Sequence, residues 1–200
     1  MEVPNLRKLI LYMHVSLDGF VQGEREWDIG WIIHDEELER YADESFSTVD
    51  TVLWGRGTYL GMQQHWTRVP DLPDASEHDK AHAAWITKTQ KVVFSTTLDS
   101  VDWNNSILIK ENMAEEVRKL KQQDGRDMII IGSPRIAHQL MQHHLIDEFR
   151  LNVNPIVLGK GLPVFKDVQQ PVPLELVQNR TFRSGVVGFI YRLKKEPQPS

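Results

Sequence analysis

Residues 128–140 run Met-Ile-Ile-Ile-Gly-Ser-Pro-Arg-Ile-Ala-His-Gln-Leu, and this stretch limits the possible folds more than any other in the chain. One methionine and three isoleucines without a polar break predict a strand buried on both faces, as in a parallel sheet. The run stops at Gly132-Ser133 and a helix begins at once. Ser133 suits the N-cap, Pro134 the first helical position, and Ile136, Ala137 and Leu140 keep helical spacing. A strand, a glycine corner and a helix N-terminus in succession aim free backbone N–H groups and a positive dipole end beyond the strand. That arrangement commonly receives phosphate, and glycine lets a ligand come close to the backbone. The same corner is also the ordinary connection of an α/β sheet, so alone it fixes no function.

Strands and helices alternate on either side of this unit. Lys8–Val15 is a strongly apolar first strand, expected near the sheet centre; Ser16-Leu-Asp-Gly-Phe20 ends it, and the glycine-bearing segment to Trp31 reads as a mobile loop. Residues 34–47 predict a helix, with Asp35, Glu36 and Glu37 in its first turn and an apolar stripe of Leu38, Tyr41, Ala42 and Phe46. Thr51–Trp54 is a second buried strand that ends at Gly55, and Arg56-Gly57-Thr58 opens a short helix. A loop over 70–74 and a helix over 76–86 lead to a third strand, Lys91–Phe94, with Ser95-Thr96-Thr97 at its end. A short strand follows at 107–109. Asn112 then gives a capping-box-like start to a helix reaching Gln123, with Gly125 as its stop. Asp147–Val153 alternates polar and apolar residues, then yields to Asn154-Pro155 and the turn Gly159-Lys-Gly161. The last strands, 174–182 and 186–193, flank a hairpin at Arg183-Ser-Gly185, and the tail at 197–200 is expected to fray. Alternation over the first three quarters demands a mostly parallel sheet, and the helix-free end demands antiparallel pairing at one edge. The expectation is one α/β domain over 1–200, helices covering both faces of a mixed sheet.

At 200 residues and 40% hydrophobic content, the chain can bury a core without staples. A net charge of −5 argues against nucleic acid or an anionic membrane as partner. The absence of cysteine removes disulfides, thiolate metal sites and a cysteine nucleophile. Ile10–Met13 is too short for a signal-peptide core and no stretch approaches a membrane span, so a cytoplasmic protein is expected. His138, His143 and His144 cluster, but His138 and His143 are five residues apart, a poor ligand spacing, and no metal is expected.

Three strand ends carry groups suited to phosphate: Gly55-Arg56-Gly57-Thr58, Ser95-Thr96-Thr97 and Gly132-Ser133-Pro134-Arg135. Open α/β sheets bind ligands beyond the carboxyl ends of their strands, and three such ends could span a dinucleotide. No G-x-G-x-x-G follows the first strand. Read in order, Ser16-Leu17-Asp18-Gly19-Phe20, Gly55-Arg56-x-Thr58-Tyr59, Gly132-Ser133-x-Arg135, Asp147-Glu148 and Pro155-x-x-Leu158-Gly159-x-Gly161 resemble the dihydrofolate reductase-like fold. Over about residues 7–193 the chain is similar to stand-alone proteins related to the C-terminal reductase domain of the bifunctional riboflavin-biosynthesis deaminase/reductase.

The resemblance implies a three-layer α/β/α architecture and a nicotinamide cofactor. Gly19 and Phe20 match the loop that closes over the nicotinamide. Gly55, Arg56 and Thr58 match one phosphate corner, and Gly132, Ser133, Arg135 and Ile136 match a second. Ser95 and Thr96 match the pocket around the adenosine 2′-phosphate. The planar fork of Arg56 suits a phosphate dianion, and hydroxyls in place of a carboxylate favour NADPH over NADH. On the substrate side, Asp35 or Glu36 stands where the fold's pterin-binding acid is found, although acids there also complement a helix dipole. Asp18 is either a substrate-facing carboxylate or half of an Asp-Gly turn. Met62 and Trp66 line a ring pocket or belong to the core, and Trp27 and Trp31 could stack on a ring. Ser133 replaces the second glycine of the dihydrofolate reductase pair, and no Asp-Asn-Pro follows the second strand. The function implied is NADPH-dependent reduction of a C=N or C=O in a small heterocycle or related molecule, as in 5-amino-6-(5-phosphoribosylamino)uracil reductase domains. Asp18, Asp35 and Glu36 are the candidates for the proton path. Dihydrofolate reductase activity and a nucleotide-binding protein without turnover are the alternatives. A homodimer is expected, because relatives often pair and the final strands leave an edge to cover.

Overall fold

The computed structural model describes residues 6–194, so the tail at 197–200 lies outside the described residues. Strands β1 (Leu9–Ser16), β3 (Val49–Gly55), β4 (Gln90–Phe94), β5 (Ser106–Ile109), β6 (Asp127–Ile131), β7 (Glu148–Asn154), β9 (Leu174–Thr181) and β10 (Val187–Leu193) form one sheet. A two-stranded ribbon joins β2 (Phe20–Gln22) to β8 (Leu162–Pro163). The sheet order is β5-β4-β3-β6-β1-β7-β10-β9, with β6 and β1 at its centre. Every pairing from β5 to β7 is parallel, and β10 turns antiparallel to both β7 and β9. The expected mixed sheet, parallel with an antiparallel C-terminal edge, is the observed one.

Alternation along β1 divides the core in two. Leu9, Leu11, Met13 and Val15 pack beneath Val117 and Leu120 of α4 (Met113–Lys121) and Ile136 and Leu140 of α5 (Pro134–Gln142). Ile10 and Tyr12 face the other way. They meet Phe46 of α1 (Glu36–Phe46), Tyr59 of α2 (Arg56–Trp66) and Ile86 of α3 (Glu77–Lys88). The result is the three-layer arrangement of helices, sheet and helices. Ile129 and Ile130, in the central run, are fully buried on opposite faces. No helix among the described residues is long and apolar enough to cross a membrane.

Two local expectations need correction. The segment after β1 is not simply a loop. Its residues Phe20–Gln22 pair with Leu162–Pro163, and the Asp18 carboxylate accepts hydrogen bonds from the Leu158 and Gly159 amides at 3.1 and 2.7 Å. Gly161, at φ 151, lies so close to Gln22 that a Cβ there would collide with the Gln22 backbone. The helix expected after Asn112 does begin at Met113, with Asn112 at its N-cap position, but not with the expected capping box. Asn112 adopts the left-handed conformation (φ 54) and its side chain caps nothing.

Candidate active-site cleft

The C-terminal ends of β1, β3, β4 and β6 open into a cleft of 1580 Å³. The two central corners are laced together. The Gly55 amide donates to the Ser133 hydroxyl at 3.1 Å, the Thr58 hydroxyl donates to the Gly132 carbonyl at 2.8 Å, and the Trp54 indole donates to the Ile131 carbonyl at 2.9 Å. Ser133 therefore serves the neighbouring corner and leaves its own helix uncapped. Gly132 sits at φ 63, a conformation open chiefly to glycine. The helices α2, α4 and α5 all bring their N-termini to this cleft, and none has a side-chain cap. By contrast, α1 and α3 are capped by Asp35 and Ser76. Uncapped first-turn N–H groups need acceptors from elsewhere. Arg56 and Arg135 stand in the first turns of α2 and α5, and Lys110 lies at the end of β5 near Ser95 and Thr96. The donor set fits the phosphates of a dinucleotide.

Loop residues 24–33 arch over α2. Trp27 is in the left-handed region (φ 61) and lays its ring on Gly61, where a Cβ would collide with it. The end of this loop is pinned where the Ile33 amide donates to the Asn154 side chain at 3.0 Å.

The other half of the cleft is aromatic. Tyr12 and Phe46 meet edge to face at 5.2 Å, Phe46 stacks on Trp85 at 5.0 Å, and His82 lies 4.3 Å from the Trp66 ring. Burial, then the neighbouring His78, pulls the His82 pKa down to about 4. Burial, helped by His34 at 6.3 Å, does the same to His14. Both rings are neutral at pH 7 and act as flat, polar-edged surfaces.

Nine of the proposed cofactor residues line this cleft: Gly55, Arg56, Thr58, Ser95, Thr96, Gly132, Ser133, Arg135 and Ile136. Gly19 and Phe20 do not; their neighbours Val21 and Gln22 do. Met62 and Trp66 line the aromatic half, whereas the Trp31 indole turns away to donate to the Asp28 carbonyl at 3.0 Å. The three proposed acids all lie off the cleft lining. The Ser16 hydroxyl and the Gly159 and Leu158 amides hold the Asp18 carboxyl below the usual range while it anchors the loop. The Leu38 and Glu37 amides do the same for Asp35, the cap of α1. Glu36 is in solvent, its side chain 91% exposed. The acid that α1 does turn to the cleft is Glu39, next to the apolar stripe. Sequence reasoning missed Glu39, Lys110, Tyr12, His14 and His82. Only Glu39 had a usable signal, its place beside Leu38 on the helical stripe. His138, singled out earlier, is a core residue bonded to the Pro163 carbonyl at 3.0 Å. No cluster among the described residues could hold a metal ion.

The RibD C-terminal domain family model matches residues 7–188 of this chain. YyaP, an uncharacterized protein of Bacillus subtilis (strain 168), is 35% identical over 187 residues, covering 92% of this chain and 94% of its own. Two solved structures share the fold at lower identity. The Thermotoga maritima diaminohydroxyphosphoribosylaminopyrimidine deaminase/5-amino-6-(5-phosphoribosylamino)uracil reductase is 18% identical with a TM-score of 0.65; the match covers 94% of this chain and 57% of that one. The Enterococcus faecalis dihydrofolate reductase, solved with NADP(H), is 14% identical with a TM-score of 0.60, covering 94% and 97%.

Proposed function

The chain belongs to the RibD C-terminal domain family, a family of reductases, and from that premise we propose that it is an NADPH-dependent oxidoreductase acting on a C=N or C=O of a small molecule. The observation that carries this reading is the set of three uncapped helix N-termini converging on one cleft, two of them with an arginine in the first turn. Such termini attract anions through free N–H groups and the helix dipole. Bound there, NADPH supplies a hydride to the unsaturated carbon, and the substrate nitrogen or oxygen takes up a proton.

The chain's own residues bind, orient and shield. Arg56 and Arg135 would grip the bridging phosphates with planar, paired donors. Lys110, with Ser95 and Thr96, would meet the 2′-phosphate that separates NADPH from NADH. The loop carrying Trp27 would exclude water on the α2 side, and the wall formed by Tyr12, Phe46, Trp66 and His82 would hold the reacting ring against the cofactor. Dihydrofolate reductase activity would require a buried acid on α1. Asp35 caps the helix and Glu36 is in solvent, which leaves Glu39, half-buried on the cleft lining, as the acid α1 offers that reading.

The test is a titration of the protein with NADPH and NADH followed by tryptophan fluorescence. NADPH should bind more tightly than NADH, and Arg56→Ala should weaken it at least tenfold, about 1.4 kcal/mol. Lys110→Ala should weaken NADPH and leave NADH unaltered. Failure of both nucleotides to saturate the protein at millimolar concentration would sink the proposal.

A further inference from the structure

We infer that the substrate half of this cleft selects a flat, uncharged ring that carries no phosphate. The inference rests on the reductase reading, and it concerns the half of the site that the cofactor leaves free. Its first support is the distribution of charge. The lysine and arginine side chains lining the cleft, among the described residues, are Arg56, Arg135 and Lys110. Each stands beside a strand-end corner assigned to the cofactor. Apart from Arg56 at the N-terminus of α2, the Asp, Glu, Lys and Arg side chains that α1, α2 and α3 bring to the cleft lining are the carboxylates Glu39 and Asp79. A phosphate dianion placed there would lose its water and meet like charge, with no guanidinium or ammonium in compensation.

Two half-buried histidines of the lining, His14 and His82, do not make up the deficit. His14 and His82 are uncharged at neutral pH, since burial pulls both to about 4. The one histidine ion pair on this side joins His78 to Asp43 at 3.4 Å, so any positive charge on His78 is already met.

The second support is shape. Phe46 and Trp85 stack with ring planes 13° apart, and His82 sits against Trp66 at 4.3 Å. Tyr12 and Phe46 are buried and Trp85 lies off the lining, so the surface offered to a ligand is that of the half-buried Trp66 and His82 rings, which suits another flat π-system, worth roughly 0.5–1.5 kcal/mol per aromatic pair beyond area burial. The imidazole edges of His14 and His82 can donate to and accept from ring heteroatoms while remaining neutral. The wall recognises a conjugated ring by stacking and by neutral hydrogen bonds, and it rejects the same ring once a phosphate is attached.

The experiment uses three probes with closely related ring systems: lumichrome, riboflavin and riboflavin 5′-phosphate. Each is titrated into full-length protein saturated with NADP+, whose own binding isotherm is measured first. Lumichrome and riboflavin should bind at least tenfold more tightly than riboflavin 5′-phosphate. Trp66→Ala should loosen lumichrome at least tenfold. Glu39→Lys, which places a cation on the wall, should narrow or reverse the preference for lumichrome over riboflavin 5′-phosphate. Equal or tighter binding of the phosphorylated probe to the wild-type protein overturns the inference, as does a lumichrome affinity insensitive to Trp66→Ala. A missing NADP+ isotherm would count against the cofactor assignment alone. The ring titrations would still decide the character of the wall.

Discussion

His14 and His82 carry the pH sensitivity expected of this molecule near neutrality. Burial holds both at about 4 in the fold, and an unfolded histidine titrates near 6.5. The unfolded chain therefore binds more protons than the native one between these values. Their contribution is fully present above pH 6.5 and is lost as pH falls toward 4, by at most about 3 kcal/mol for each ring. Denaturant midpoints should drop between pH 7 and pH 5, a window above the ordinary titration of carboxylates, and His82→Phe should flatten the drop. An unchanged midpoint would remove the burial argument. Trp27 offers a second test. Its ring occupies the space where a Gly61 Cβ would stand. Alanine at 61 gains up to about 1 kcal/mol of helix propensity but must evict the ring. Gly61→Ala should leave α2 as well protected from amide exchange as before and accelerate exchange over residues 24–31. No sequence pattern announces such a pair, because the two residues are 34 positions apart and neither breaks a local rule.

At the scale of elements, the helices divide by how their ends are satisfied. Asp35→Ala should cost about 1 kcal/mol, the usual loss for a cap, and leave nucleotide binding unaltered, which a thermal melt with and without NADPH would show. The last turn of α3 is closed from outside: the Lys91 ammonium donates to the carbonyls of Ile86, Thr87 and Thr89 at 2.6, 3.2 and 2.7 Å and lies over the Trp103 ring. Burial pulls its pKa down to about 8, which still leaves it charged at neutral pH. Lys91→Met would remove this donor from the Ile86 and Thr89 carbonyls, while Thr87 keeps the Asn104 side chain at 3.3 Å, and should cost on the order of 2 kcal/mol, measured by urea unfolding. Elements of this kind differ in how well their sequences declare them. The buried run at 128–131 and the stripe of α1 are legible because periodicity is a local property. The strand role of Phe20–Gln22 is not, since it depends on pairing with Leu162–Pro163 some 140 residues later. The acids could not be told apart in sequence for a related reason. Charge at the start of a helix looks the same whether it caps, faces solvent or faces a ligand, and only packing separates Asp35, Glu36 and Glu39.

For the whole molecule, the parallel order from β5 to β7 sends every strand end on that side toward one edge, so corners far apart in sequence become walls of one cleft. That much followed from the alternation of strands and helices. The aromatic half did not, because α1, α2 and α3 come together only through the sheet beneath them. The uncapped termini give this architecture a global property. A ligand that supplies acceptors to three helices at once binds the folded chain and not the unfolded one. At a hundred times its dissociation constant it should stabilise the protein by about 2.7 kcal/mol, and Arg56→Ala should reduce the corresponding rise in melting temperature. On the proposed reading, the same linkage would turn nucleotide supply into a determinant of protein lifetime in a living cell. Chains synthesised while the cofactor is scarce would unfold more often, meet proteases sooner and decline in abundance, so the amount of enzyme would follow the reducing power available to it.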